Sequence, residues 1–330
     1  MQAYIIRRLL LLIPTLFLVT LIVFFVVRFI PGSAIDLMMA QFGEMRIEEH
    51  EVTEELLKHS LGLDVPVHVQ YGRWLGIVPK PEEGFSGIFQ GDFGVSLWSS
   101  LPIRDEIVQR FPVTLELGLL ATILSITFAI PIGVYSAIRQ DTPADYIGRT
   151  IAILCISLPG FWLGTMVTVY PSIWWNWSPP LTYIPLVKDP LGNLGMFLLP
   201  AVIMGLSASG MKMRMTRTMM LEVLRQDYIR TAWAKGLGER TIIIRHALKN
   251  ALIPVVTLIG FTLPTLVAGA VIMETIFNLP GMGLLMIGAL NQRDYPVVSA
   301  VNLLVASVVL VANLVVDLSY AYLDPRVAYK

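Results

Sequence analysis

Long uncharged runs alternate with short polar segments along this chain, and six runs are long enough to cross a membrane. A crossing helix needs roughly 20 apolar residues. The stretches 9–27, 117–138, 151–173, 191–211, 251–273 and 295–316 each hold 19 to 23 residues without a charge. The pattern predicts an all-α polytopic membrane protein with six transmembrane helices. The first run exceeds the roughly 7–15 apolar residues of a secretory signal. Ala34 after Pro31-Gly32-Ser33 is a poor cleavage context, so the run reads as an uncleaved span.

Two polar segments carry patterns of their own. In 29–112, Thr53 to Leu61 reads as a short amphipathic helix with Leu56, Leu57 and Leu61 on one side and Gly62 as its stop. Gly72, Gly76, Gly84, Gly87, Gly91 and Gly94 then predict turns. In 212–250, Leu221 to Lys235 holds good helix formers, Gly236 and Gly238 interrupt, and Glu239 to Leu252 resumes the helical pattern. Within the spans, Pro14, Pro131, Pro159, Pro171, Pro200, Pro254 and Pro264 predict bends. Gly118, Ala121, Ser125 and Ala129 form a small-residue strip suited to close helix contact.

Composition narrows the class. The 330 residues are 55% hydrophobic and 15% charged, with a mean hydropathy of +0.69. Soluble domains carry roughly a quarter charged residues, so an ordinary soluble enzyme and a disordered chain are excluded. A net charge of zero gives no footprint for nucleic acid. The single cysteine, Cys155, excludes intramolecular disulfides and Cys-based metal centres. His50, His59 and His68 are spaced so that no two share a helical face at ligand distance, so no metal site is expected.

Charge also sets the orientation. Arg7 and Arg8 precede the first run, and Lys212 to Asn250 carries nine Lys/Arg against three acids. Residues 29–112 carry six Lys/Arg against 13 acids, and the later external connections hold only Lys188 and Arg293. Positive charge marks the cytoplasmic side, which places both termini there. Trp174, Trp175 and Trp177 suit an external aromatic belt. The six runs contain no ionisable side chain, and Glu116, Glu274 and Asp317 read as groups at a wet interface. A proton-coupled carrier is disfavoured, whereas a sodium-coupled carrier using backbone carbonyls is not. No phosphate-binding loop, nucleophile elbow or His-Glu-x-x-His pair occurs. Ser125 and Ser157 have no histidine within the spans to activate them. On physics alone, the basic segment 212–250 suits either anionic headgroups or a protein partner.

A resemblance then enters through residues in order. Asp227-Tyr228-Ile229-Arg230-Thr231-Ala232-Trp233-Ala234-Lys235-Gly236-Leu237, followed by Arg245-His246-Ala247-Leu248-Lys249-Asn250-Ala251-Leu252-Ile253-Pro254, resembles the cytoplasmic loop of binding-protein-dependent ABC importer permeases. More narrowly, the chain is similar to the B-type subunit of the oligopeptide/dipeptide/nickel branch. Ile30-Pro31-Gly32, Leu61-Gly62-Leu63-Asp64, Gly91-Asp92-Phe93-Gly94-Val95-Ser96 and Thr114-Leu115-Glu116-Leu117 fit that branch. So do Ser157-Leu158-Pro159-Gly160-Phe161-Trp162, Glu274-Thr275-Ile276-Phe277, Pro280-Gly281-Met282-Gly283, Arg293-Asp294-Tyr295-Pro296 and Asp324-Pro325-Arg326. The general loop motif opens Glu-Ala-Ala. Aligned on Gly236, this chain has Arg230-Thr231-Ala232 there, the version that the peptide-type branch tolerates.

The resemblance implies a type I ABC importer transmembrane domain that lines half of a pathway for a solute, di- or oligopeptide first among them. It implies a non-catalytic chain in a bacterial or archaeal cell membrane, with no cofactor of its own, because ATP and magnesium belong to partner ATPase subunits. The implied partners are a second, C-type permease subunit, two ABC ATPase subunits, an external solute-binding protein and the lipid bilayer, with no nucleic acid. The division is 1–112, one helix plus an external segment that docks or caps, and 113–330, the permease domain with its coupling loop 212–250. Coupling to the ATPase falls to Asp227, Tyr228, Arg230, Thr231, Ala232, Ala234, Lys235, Gly236 and Leu237. Ala232 and Gly236, four apart, read as a notch open to another protein, and Asp227 and Arg230 as an i,i+3 pair. Asn302, Asn313, Thr165 and Thr168 are possible lining groups. The alternative is a secondary carrier or channel working without an ATPase.

Overall fold

A computed structural model describes residues 2–28, 64–81, 84–180 and 182–323. Its helices are α1 (Gln2–Arg28), α2 (Val67–Leu75), α3 (Ile103–Ile138), α4 (Pro143–Ser157), α5 (Gly160–Trp175), α6 (Pro190–Leu224), α7 (Asp227–Ala234), α8 (Lys249–Ile276), α9 (Met282–Gln292) and α10 (Tyr295–Leu323). A helical turn, Glu239–Thr241, and a π-wound stretch, Ile242–Leu248, lead into α8. The described residues contain no extended strand, only two isolated bridges, Lys80–Gly84 and Val95–Pro102. The predicted helix 53–61, His50 and His59 lie outside the described residues. His68 sits in α2, and no cluster of metal-binding side chains occurs among the described residues.

The third apolar run is not one straight span. It breaks at Leu158-Pro159 into α4 and α5, whose axes are bent by 88°. Pro159 disfavours helical backbone at the residue before it, and Leu158 is extended at φ −84°, ψ 119°. Among the described residues, five helices are therefore long and apolar enough to cross a membrane, and six if the bent pair counts as one. The second and fourth runs extend further than their uncharged cores. α3 begins at Ile103, where Asp105 and Glu106 suit a helix N-terminus. α6 runs 35 residues to Leu224, through Lys212, Arg214 and Arg217, which the pattern had assigned to a polar loop. Asp189 caps its start, accepting the Gly192 N–H at 3.0 Å.

The chain divides into two compact units. The first comprises Met1–Arg8, Val113–Gly283 and Val308–Lys330. Its core joins Leu117 and Ala121 of α3 to Phe197 and Ala201 of α6 and Ala270 and Met273 of α8. The small-residue strip serves this packing. Ala121, Ser125 and Ala129 are buried, and a Cβ on Gly205 of α6 would meet the Ala121 carbonyl at 2.9 Å.

Glu274 is no interface group in this unit, because its residue is fully buried. Its carboxylate accepts the Thr114 hydroxyl at 2.5 Å and the Gly283 N–H at 2.7 Å, while Thr114 Oγ1 accepts the Met282 N–H at 2.8 Å. A carboxylate can be buried here because local donors replace its water. Two of the sequence motifs, Thr114-Leu115-Glu116 and Glu274 through Gly283, are thus halves of one knot. Lys212 is also fully buried, its Nζ donating to the Ala208 carbonyl at 2.9 Å. Thr165 and Thr168 donate back to their own helix, at Phe161 and Gly164.

The second unit comprises Leu9–Pro112 and Leu284–Ser307. In it, α1 and α2 meet through Phe24, Tyr71 and Trp74, and Thr20 shares a 2.8 Å hydrogen bond with Tyr71. Asp294 begins α10 and accepts from Ser96 Oγ at 2.6 Å and from the Leu97 N–H at 3.1 Å. Burial raises the Asp92 carboxyl, but hydrogen bonds from Ser86 and the Gly94 N–H, with Lys80 at 3.5 Å, outweigh it. They hold the group below its usual range.

Candidate coupling site

The predicted helix 221–235 is two helices. α6 ends at Leu224, the chain turns at Arg225-Gln226, and α7 runs Asp227–Ala234. α7 is eight residues long, too short to be stable without tertiary packing. Ile229 and Ala232, one turn apart, supply that packing. They bury against Ala137 of α3, Met220 of α6, and Ile242, Ala247 and Ala251 beyond. Tyr228 adds a polar tie, its hydroxyl accepting from Asn250 Nδ2 at 2.8 Å.

These contacts overturn the notch. Ala232 is turned inward against its own chain, with 6% exposure. Gly236 is exposed, and a Cβ built there meets nothing within 4 Å. Its need is conformational. At φ +75° it closes the helix, its N–H bonding to Trp233 O at 2.9 Å and the Leu237 N–H to Ala232 O at 3.3 Å. A β-branched residue in the left-handed region costs about 1–2 kcal/mol, whereas asparagine enters it readily. Gly236→Val is therefore expected to melt earlier than Gly236→Asn in detergent. Equal melting of the two would show that the backbone conformation is not what position 236 requires.

The remaining assigned residues form the outer face. Asp227, Tyr228, Arg230, Thr231, Ala234, Lys235 and Leu237 are exposed. The Asp227–Arg230 pair exists at 3.3 Å, but with side chains 95% and 75% exposed it adds little stability. Trp233, absent from the assigned set, stands half out of the surface beside Tyr228 and Leu237. Exposed apolar side chains among cations are what a docking surface presents. Arg225, Arg230, Lys235, Arg240 and Arg245 recur every fifth residue, and all five are exposed.

The foot of α6 beneath this segment holds a second feature that the sequence did not reveal. Asp145 of α4 is fully buried and takes a two-pronged contact from Arg217 of α6, with Nε–Oδ1 and Nη2–Oδ2 both at 2.7 Å. Ser136 of α3 donates to the same carboxylate, and the Asp141 N–H reaches it at 3.0 Å. Three helices are thereby pinned at one point. Arg139 and Arg149, nearer in sequence, are the partners that spacing alone would have suggested.

Comparison with known proteins identifies the family. The family described as "Binding-protein-dependent transport system inner membrane component" matches residues 129–329, and its N-terminal companion matches residues 1–118. The dipeptide transport system permease protein DppB of Escherichia coli (strain K12) is 40% identical over 353 residues, with both chains covered completely. The di/tripeptide transport system permease protein DppB of Pseudomonas aeruginosa (strain UCBPP-PA14) is 39% identical over 350 residues, again with full coverage of both. Among solved structures, an inward-facing MetNI methionine ABC transporter superposes with a TM-score of 0.54 at 17% identity. That match covers 66% of this chain and 95% of the other. At that identity the likeness speaks to the fold alone. Family matches at both ends and full-length relatives settle the membership: the chain belongs to the binding-protein-dependent transport system inner membrane components, as a multi-pass permease subunit of an ABC importer.

Proposed function

We propose that this permease lines half of a pathway for di- or oligopeptides handed over by an external binding protein, and that ATPase subunits drive it through α7 and the turn after it. The observation that carries the coupling role is the two-sidedness of α7. Ile229 and Ala232 fasten it to the bundle, while Tyr228, Arg230, Trp233 and Leu237 face outward. A short helix held by packing passes on a displacement as a rigid body, which a loose linker cannot. The full-length likeness to dipeptide and di/tripeptide permeases supports the substrate class.

In this reading the chain is non-catalytic, with ATP and magnesium held by two ATPase partners and a C-type permease completing the pathway. It sits in a bacterial or archaeal cell membrane with both termini cytoplasmic. Residues 1–112 carry the external segment, and 113–330 form the permease domain with its loop 212–250. Aromatic and arginine anchors at interface centres are each worth about 2 kcal/mol or more. Arg230→Glu with Trp233→Ala is therefore expected to cut labelled-dipeptide uptake by the assembled transporter at least about 30-fold. The amount of chain in the membrane should not change. Wild-type uptake by that variant would sink the coupling assignment. Solute movement by the purified chain alone would instead favour the carrier alternative.

A further inference from the structure

A cavity of about 420 Å³ opens beside the first turns of α3, wholly within the unit formed by residues 9–112 and 284–307. Leu285 and Ala289 of α9 and the Trp98 ring give it an apolar wall, and Glu106, Arg110 and Gln292 a polar one. Much of the polarity nearby is already committed. Asp294 is held by Ser96 and the Leu97 N–H, and Trp98 Nε1 donates to the Gln292 carbonyl at 2.8 Å.

Arg110 is different. It is half-buried, and among the described residues no hydrogen bond or ion pair reaches its guanidinium. Glu106, also half-buried, accepts only the Ser99 hydroxyl, at 3.0 Å on Oε1. Opposite charges at i and i+4 on a helix are well placed to pair, yet these two do not. Both line the cavity instead. The result is an amphiphilic pocket with one unused cation and one largely unused anion a helical turn apart. Residues so spaced stand about 5–6 Å apart at Cβ. An extended dipeptide is about 7 Å long, with opposite charges at its two ends. The volume is that of a small-ligand site.

We propose that this cavity binds a short peptide with both termini free, its ammonium at Glu106, its carboxylate at Arg110 and a side chain against Trp98 and Leu285. The inference rests on the peptide-transport reading above and names the chemistry by which this chain recognises such a substrate. A planar guanidinium can take a carboxylate on two parallel hydrogen bonds, which favours the free acid over its amide.

The test uses the assembled transporter with its binding protein in proteoliposomes. The probe is a dipeptide bearing a diazirine side chain, supplied well below its half-saturating concentration as free acid, C-terminal amide or N-acetyl derivative. Crosslinks mapped by mass spectrometry are expected within 96–110 and 284–297. Arg110→Gln is expected to lower labelling by the free acid about 10- to 100-fold, the loss of one charged hydrogen-bonding contact, and to leave labelling by the amide unchanged. Arg110→Lys should recover part of the loss, and Glu106→Gln should act in the same way on the free amine against the N-acetyl form. Equal losses for acid and amide, unchanged labelling, or crosslinks elsewhere would each overturn the proposal. If the wild-type assembly imports dipeptide while the cavity stays unlabelled, only this inference falls. If it imports no dipeptide, the peptide-transport reading falls first.

Discussion

Arg217→Ala is expected to lose about 3–5 kcal/mol of stability, because it leaves a fully buried carboxylate without its cation. Asp145 would keep Ser136 and the Asp141 N–H, but both donors are neutral and the charge would stay away from water. The expected result is a chain that reaches the membrane in smaller amount and elutes as aggregate after detergent extraction. Arg217→Lys is only a partial rescue, since an ammonium cannot reproduce both 2.7 Å contacts. Replacing the pair together, as Asp145→Asn with Arg217→Met, should recover much of the loss, because no charge is then left buried and the amide oxygen can still accept a hydrogen bond from Ser136 or the Asp141 N–H. If the double variant were as unstable as Arg217→Ala alone, the stranded charge would not be the cause.

The second large effect lies at the Glu274 knot. A Cβ on Gly283 would overlap the backbone of Val271 and come within 2.9 Å of the Glu274 carboxylate. The Val271 contact is with backbone, so helix α8 itself must move. Overpacking of this kind costs about 1–3 kcal/mol. Glu274→Ala acts by the other route, removing the acceptor of the Thr114 hydroxyl and the Gly283 N–H. Each buried group left unsatisfied costs about 1–3 kcal/mol. Gly283→Ala and Glu274→Ala are therefore each expected to lower the melting midpoint clearly. Combined, they should lose less than the sum, since removing the carboxylate relieves one of the two clashes. A strictly additive double variant would show that the two positions do not share the knot.

Crossing segments were legible because hydrocarbon demands long uncharged runs, and nothing else in the chain produces them. Their limits were not. Lys212, Arg214 and Arg217 look like loop residues until Asp145 and the Ala208 carbonyl are seen to take up two of those charges. Seven prolines were equally visible, yet the severe bend falls at Pro159, where Leu158 before it leaves the helical region. Glu274 closes an apolar run as an interface residue would. Only the approach of Thr114, 160 positions earlier, shows otherwise. In the proposed coupling segment, a helix followed by a glycine stop was legible, but its inner and outer faces were not. A spacing of four between Ala232 and Gly236 suggested a notch. Ile229, three positions before Ala232, was the better guide, because a large apolar residue at helical spacing marks the buried side.

The right-angle break between α4 and α5 has a mechanical meaning once its attachments are considered. α4 is bolted to the foot of α6 through Asp145 and Arg217, close to where α7 begins. Past the elbow, Gly160 and Gly164 of α5 lie against Met273 of α8. On the coupling role proposed above, the pair would serve as a bell crank: a thrust delivered at the base of α6 would reach α8 through the far arm, as a lateral stroke in place of an axial push.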